Sequence, residues 1–367
     1  MFAKQQDRST DSLKRLVTAS LKSSAKPDTL IISWLDKLAE KYFESIPDST
    51  TYYGNLQVKL SKQINFKKGV ADGLAHIADV NTFRGDYEIA TRNYTTALNL
   101  YEEIGYAHGI CIGYRGLGYI QDYLGNYDTA LTLYNKALRW CSKTADESDQ
   151  AECYNLMGIT YNNKGEFSKS LDCYFKALFF YTKHNNHLSA ANVYSNIGLI
   201  MHQLEMYPKA ISYFNKALSV WERLHDQQGI STGCQNIGET LIAQQRYSEA
   251  IKFLRRASVI FHRLDDTDGK SLVYYDLGLY HYYTKNLDSA LYYLNLSLST
   301  SANNKILFNR ANANIGFALV YNLEKKYQQA YNHAIQAQNI GAKLNSLSIK
   351  TNAALALSKA PAGSKTF

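Results

Sequence analysis

A chain of 367 residues with 46% apolar and 20% charged side chains carries enough apolar material to fold, which excludes wholesale disorder. Its net charge is +8, yet Lys and Arg run no longer than pairs such as Lys67-Lys68, Arg255-Arg256 and Lys325-Lys326, so no basic stripe for nucleic acid is present. No apolar run is long enough to cross a membrane and the first residues lack a secretory apolar core, so a cytoplasmic location is expected, or a periplasmic one if a signal peptide stands upstream.

Residues 1–27 read as a polar N-terminal tail with room for a short helix, because Leu13, Leu16, Val17 and Leu21 fall at helical spacing. Asp28 is the expected N-cap of a helix carrying Ile31, Leu35, Leu38 and Tyr42. Pro47-Asp48 opens its partner, which runs to about Ile64. Residues 28–66 thus form a degenerate capping pair.

From residue 67 to 344 the sequence repeats every 40 residues, as Tyr87, Tyr127, Phe167, Tyr207, Tyr247, Leu287 and Tyr327 show. A repeat of that length makes one elongated array more natural than several separate cores. Gly69, Gly109, Asp149, Ser189, Gly229 and Gly269 share one phase, which the residue types mark as a helix entrance. Ala78, Gly118, Gly158, Gly198, Gly238 and Gly278 follow nine or ten residues later. Glycine inside a helix costs about 0.5–1 kcal/mol relative to alanine, so its recurrence means that a neighbouring helix passes too close for a side chain. Small residues return at Ala90, Ala130, Ser170, Ala210, Ala250 and Ala290 and again at Ala97, Ala137, Ala177, Ala217, Ala257 and Ser297. Between them Tyr94, Tyr134, Tyr174, Phe214, Leu254 and Leu294 fill the layer. In the last unit Gly316 follows Gly278 by 38 residues, which predicts two residues displaced into the loop around Glu324 to Lys326. Residues 345–367 are expected to hold an unpaired helix from Ile349 to Ala360 and a tail broken at Pro361 to Ser364, a truncated eighth repeat.

The small, small, bulky and small positions on Gly238, Ala250, Leu254 and Ala257 resemble those of the tetratricopeptide repeat over about three quarters of the chain. The resemblance implies an all-α fold, a right-handed α-α superhelix of seven antiparallel helix pairs. The common repeat has about 34 residues. The six added here amount to roughly 9 Å of helix per pair. The family's usual Trp and Pro are missing, which predicts helical extensions in place of tight linkers.

Few residues carry recognisable chemistry. Asp268-Gly269-Lys270-Ser271 contains the GKS of a phosphate loop, but Leu264 replaces the earlier glycine and no strand precedes it. Gly113, Gly116 and Gly118 lie mid-helix and read as packing. His184 and His187 are three apart with Asp172 and Cys173 upstream, a linker pair short of a ligand set. The five cysteines, Cys111, Cys141, Cys153, Cys173 and Cys234, are scattered without a CxxC, which argues against disulfides or zinc. No nucleophile with its base is identifiable, so neither catalysis nor a cofactor or metal is expected.

Polar residues on the first helices are more informative. Asn196, Asn236, Asp276 and Asn314 stand two before a glycine, with His76 in the same phase; Arg115 and Asn155 stand one residue further upstream, and Gln235 sits beside Asn236. Asn and Asp are poor helix formers, so the ladder needs an explanation. The resemblance implies a concave face on which such residues hold an extended peptide; bonding between adjacent repeats is the competing account. Most tyrosines read as packing, while Tyr282 and Tyr283 are placed to present rings to a ligand.

The expected function is a non-catalytic scaffold binding a protein or extended peptide, with no direct nucleic-acid partner. Asp11 to Leu16, Leu38 to Tyr42 and Ile64 to Gly69 also look like the sensory repeat region of bacterial signalling proteins, whose kinase, cyclase or DNA-binding output would then be missing from this chain. Resemblance to bacterial peptide-pheromone regulators is weaker, because residues 1–66 show no evident three-helix bundle.

Overall fold

A computed structural model describes residues 2–22, 27–43, 46–144, 147–301, 307–344 and 347–358. The described residues form helices joined by short turns, in two compact units, 1–184 and 185–367.

The first unit contains α1 (Phe2–Lys22), α2 (Thr29–Tyr42), α3 (Pro47–Gln63), α4 (Lys67–Arg84), α5 (Tyr87–Glu103), α6 (Ala107–Tyr123), α7 (Tyr127–Cys141), α8 (Ser148–Asn163) and α9 (Phe167–Lys183). Each helix packs on the next, and α2, α4, α6 and α8 also touch in series. They make one continuous inner row. At its start Asp28 caps α2 as expected, accepting from the Leu30 and Ile31 N–H groups at 3.0 Å. Val17 of α1, Ile32, Leu35 and Leu38 of α2 and Leu60 of α3 share one core. Residues 1–66 therefore do form three packed helices. Their pattern was hard to see because only one stripe of α1 is apolar.

The second unit contains α10 (His187–Gln203), α11 (Tyr207–Leu224), α12 (Gln227–Ala243), α13 (Tyr247–Arg263), α14 (Thr267–Tyr283), α15 (Leu287–Thr300), α16 (Leu307–Leu323), α17 (Tyr327–Lys343) and α18 (Leu347–Ser358). Its inner row is α10, α12, α14, α16 and α18. α18, expected to be unpaired, packs on α16 and α17 and buries Ile349, Ala353 and Ala356. The expected break at Pro361 to Ser364 lies outside the described residues.

The linkers are tight turns, not helical extensions. Asn65, Gly85, Gly105, Gly125 and Gly165 in the first unit, and Asn185, Glu205, His225, Gln245, Asp265, Lys285 and Lys325 in the second, all have positive φ. They recur every 20 residues except where a turn lies outside the described residues. The six residues beyond the common repeat lengthen the helices, most of which span 17 residues. A left-handed residue lets the following N–H reach back to a helix carbonyl: Asp226 to Trp221 at 2.9 Å, Arg246 to Leu241 at 2.9 Å and Asp266 to Phe261 at 3.0 Å. Because non-glycine residues fill so many of these positions, composition does not announce the turns.

Two expectations about phase change. Gly109, Gly229 and Gly269 lie inside the first turn of their helices, and the caps stand three residues earlier, where Asp226 and Asp266 accept from the Gly229 and Gly269 N–H groups at 3.1 and 2.9 Å. Glycine is needed there for room. A Cβ on Gly109 would fall 2.2 Å from the Tyr101 ring, and one on Gly229 2.4 Å from Trp221. In the last repeat nothing has slipped: α16 and α17 begin at Leu307 and Tyr327, in step with α14 and α15 at Thr267 and Leu287. Ala318, fully buried, fills the position of Gly278. Gly316 is glycine for a different reason, since a Cβ there would meet Leu294 at 2.4 Å.

Candidate functional site

In the first unit α2, α4, α6 and α8 enclose, with side chains from α5, a cavity of about 690 Å³. Its polar lining comes from stripes at spacings of three, four and seven residues on otherwise buried helices: Asp72, His76 and Asp79 on α4, His108 and Arg115 on α6, and Glu152 and Asn155 on α8. α2 adds Asp36 and Glu40.

Most of these groups are partnered. His76 Nε2 and Asp36 Oδ1 are 2.8 Å apart, and Gln57 donates to the same carboxylate at 3.1 Å. Lys68 pairs with Asp72 at 2.8 Å, and Tyr101 donates its hydroxyl to Asp72 at 2.8 Å. Arg115 donates to Asp149 at 2.9 Å, His108 lies 2.6 Å from the other oxygen of that carboxylate, and Tyr181 donates to Glu152 at 2.7 Å. Tyr94 donates to Asp79. The side-chain oxygen of Asn155 is buried and accepts no hydrogen bond from the described residues.

Carboxylates exceed cations in this lining, and the titration behaviour reflects it. Burial, reinforced by Asp36, raises Glu40 above the ordinary carboxylate range. Burial also raises Asp79, with the Tyr94 hydroxyl and His76 opposing it. Asp149 is lowered: burial pushes it up, but His108 and Arg115 overcome that. His76 is raised, because its bond to Asp36 and the charges of Asp36, Asp79 and Glu40 outweigh a larger single desolvation cost.

A histidine whose folded pKa lies above its unfolded value of about 6.5 stabilises the fold fully below that pH and ceases to do so as pH rises through the folded pKa. The first unit of the wild-type chain is therefore expected to lose stability from about pH 6.5 upward. His76→Gln should flatten that part of the profile in urea melts; an unchanged slope would assign it elsewhere.

Of the residues singled out in the sequence, His76, Arg115 and Asn155 meet at this cavity. The rest of the ladder lies in the second unit. Asn236 donates to Ser195 at 3.4 Å, and Gln235 donates to Asp276 at 2.6 Å. Both bonds join neighbouring repeats. Asp276 is almost fully buried and held well above the usual carboxylate range by desolvation and by Glu239, against the pull of Gln235. Asn196 is half-buried. Asn314 does not belong to the ladder: with the register restored, Gly316 occupies that phase, and Asn314 faces α17, its oxygen 2.7 Å from His333 Nδ1. Asp36, Glu40, Asp72, Asp79, Asp149 and Glu152 were missed. Their signal is a carboxylate recurring at helical spacing within a small-residue stripe.

The remaining motifs resolve into local structure. Lys270 pairs with Asp265 at 2.6 Å, and buried Ser271 donates to the Ser297 carbonyl at 3.1 Å. The GKS is a helix entrance. A Cβ on Gly116 would fall 2.2 Å from the Tyr94 ring and one on Gly118 2.7 Å from Tyr134, so these two glycines let α6 fit between α5 and α7. His184 pairs with Glu147 at 2.8 Å. Tyr283 stacks on Tyr247 with ring centres 6.1 Å apart, and Tyr282 packs in the core around Leu294.

The cysteines do need correction. Cys111 and Cys141 form a disulfide between α6 and α7, and Cys153 of α8 lies with its sulfur 3.7 Å from that of Cys141. The end of α7 lies beside the beginnings of both α6 and α8, which gathers residues that look unrelated in the sequence. Burial pushes the Cys153 thiol up to about 12, with Arg115 opposing.

Comparison with known proteins matches this architecture. The tetratricopeptide repeat family model matches residues 70–143, 110–183 and 229–301, and a second model of the same repeat matches 191–220. No curated protein is matched by the sequence. Among solved structures, the apo form of the quorum sensor NprR from B. thuringiensis is similar with a TM-score of 0.67 at 15% identity, covering 92% of this chain and 94% of that one. A Rap protein complexed with competence and sporulation factor gives 0.66 at 14% identity, covering 93% and 94%. Aspartyl phosphate phosphatase F from Bacillus subtilis gives 0.54 at 16%, covering 92% and 95%. At such identities the likeness concerns the fold. With the repeat model matching more than half of its residues, the chain belongs to the tetratricopeptide repeat family.

Proposed function

We propose that this chain is a non-catalytic scaffold that binds a protein segment or peptide, and that the cavity of the first unit receives a basic group of that ligand. The observation that carries the reading is the pair Glu40 and Asp79, both raised by burial beyond what nearby His76 offsets, and lining the cavity with three further carboxylates. A Lys, an Arg or a free amino terminus would supply the missing charge. The vacant acceptor on Asn155 suits a backbone N–H. That a similar fold, the Rap conjugation gene regulator of the plasmid pLS20, was solved in complex with the Phr* peptide supports a peptide ligand.

In the second unit, Asn196 is the ladder residue we propose as ligand-facing; the bonds of Gln235, Asn236 and Asp276 favour a stacking role for those three, and Asn314 bonds within its own helix pair. The packed helices α1 to α3, together with similarity to regulators over 92–93% of the chain, favour a regulator of the pheromone-receptor kind over a passive spacer.

The test is fluorescence anisotropy with labelled peptide pools that are basic, neutral or acidic. Basic pools should bind, and Glu40→Gln with Asp79→Asn should weaken them about tenfold, roughly 1.4 kcal/mol, at unchanged helicity. Equal binding of acidic pools, or indifference to both substitutions, would remove the cavity from the proposal. Loss of phosphate from a phosphorylated receiver domain added to the chain would overturn its non-catalytic part.

A further inference from the structure

We infer that Cys111, Cys141 and Cys153, when reduced, form a three-thiolate site for one soft monovalent cation of the copper(I) class. The sulfurs come from three successive helices, α6, α7 and α8, and all lie within 4.8 Å of one another. All three residues are 0% exposed. Ala137 completes their core, and Tyr114, Leu138 and Trp140 pack against it. Thiolates in a dry apolar setting select soft metals. Among the described residues no imidazole or carboxylate joins the three sulfurs. Structural zinc is almost always four-coordinate, whereas three sulfurs satisfy a trigonal copper(I) ion.

The charge is offset in part, with Arg115 favouring the thiolates and Asp149 and Glu152 opposing them. One cation on three thiolates leaves a net charge of minus two, and the Arg115 guanidinium, one helical turn beyond Cys111, interacts electrostatically with Cys153. Arg115 is also a wall of the cavity, so a metal joining α6, α7 and α8 would brace the helices that hold it and Asp149.

The chemistry has two steps. A dithiol reductant first delivers two electrons and two protons to the Cys111–Cys141 bond, giving two thiols and the cyclic disulfide of the reductant. The cation then binds the three sulfurs and displaces three protons to solvent. The bridged form is thereby excluded from binding.

The experiment uses the full chain, reduced with dithiothreitol, desalted without oxygen and titrated with copper(I) held by a chromophoric chelator. One equivalent should leave the chelator, and X-ray absorption should show a shell of three sulfurs. Cys111→Ser, Cys141→Ser and Cys153→Ser should each lose that equivalent, whereas Cys173→Ser and Cys234→Ser, at the two buried cysteines outside the cluster, should keep it. Cys153→Ala, checked for helicity, covers the case in which serine disturbs the fold; if both fail to fold, the sulfur shell of the wild-type complex decides. No uptake by the reduced wild type, full uptake by a folded Cys153 variant, or full uptake by the bridged protein would overturn the assignment.

Discussion

Phe214→Ala is expected to cost the second unit about 3–5 kcal/mol, the usual loss for a large aromatic removed from a core. Phe214 is 0% exposed and its ring lies directly on Gly198 of the partner helix, where a Cβ would come within 2.6 Å of it. Gly198→Ala alone should also destabilise: overpacking costs about 1–3 kcal/mol and exceeds the 0.5–1 kcal/mol that alanine gains in a helix. In the Phe214→Ala background the sign should reverse, because the void accepts the methyl and only the helical preference remains. Urea denaturation of the four proteins in this cycle measures the coupling. Additive losses would mean that glycine is not there to admit the ring.

Arg115→Met is expected to cost the first unit about 3–5 kcal/mol, since it strands a buried carboxylate. The Asp149 side chain is 7% exposed, and of its two ion-pair partners among the described residues His108 would remain. Asp149→Leu added to Arg115→Met should recover much of that loss, because removing both charges avoids the desolvation that removing one exposes. Should the double variant unfold at the summed cost of the singles, the ion pair itself would be the stabilising element. The variants also report on the cavity, which loses its arginine in both.

Much of the architecture was readable without coordinates because the 40-residue pattern is written in side-chain size. Where the second helix ends in Tyr101, Trp221 or Phe261, the next helix begins with Gly109, Gly229 or Gly269; where it ends in Cys141, the same position carries Asp149. A small residue thus makes room for a buried carboxylate, and that exchange places the Arg115 ion pair and the cysteine cluster in the same repeat. The linkers between repeats were misread because Asn65, Asn185, His225 and Asp265 take a left-handed conformation that composition assigns to glycine. Gly316 misled for the opposite reason, a glycine demanded by Leu294 standing out of phase with the other glycines. The cavity was only partly legible. His76, Arg115 and Asn155 stand out as polar residues within packed helices, but Glu40 and Asp79 acquire meaning only when α2, α4 and α6 face one another.

The regular beat of one helix and one turn in every 20 residues bears on how such a chain can change its length. An in-frame gain or loss of 40 residues, by unequal exchange between neighbouring copies, would return every remaining helix and turn to an equivalent place in the array. A change of 20 would swap the inner and outer rows and set aromatic residues where glycines are needed. Descendants of this gene can therefore grow or shrink by whole helix pairs outside α2 to α8 while the cavity of the first unit keeps its lining, so that copy number and the chemistry of that cavity are free to evolve separately.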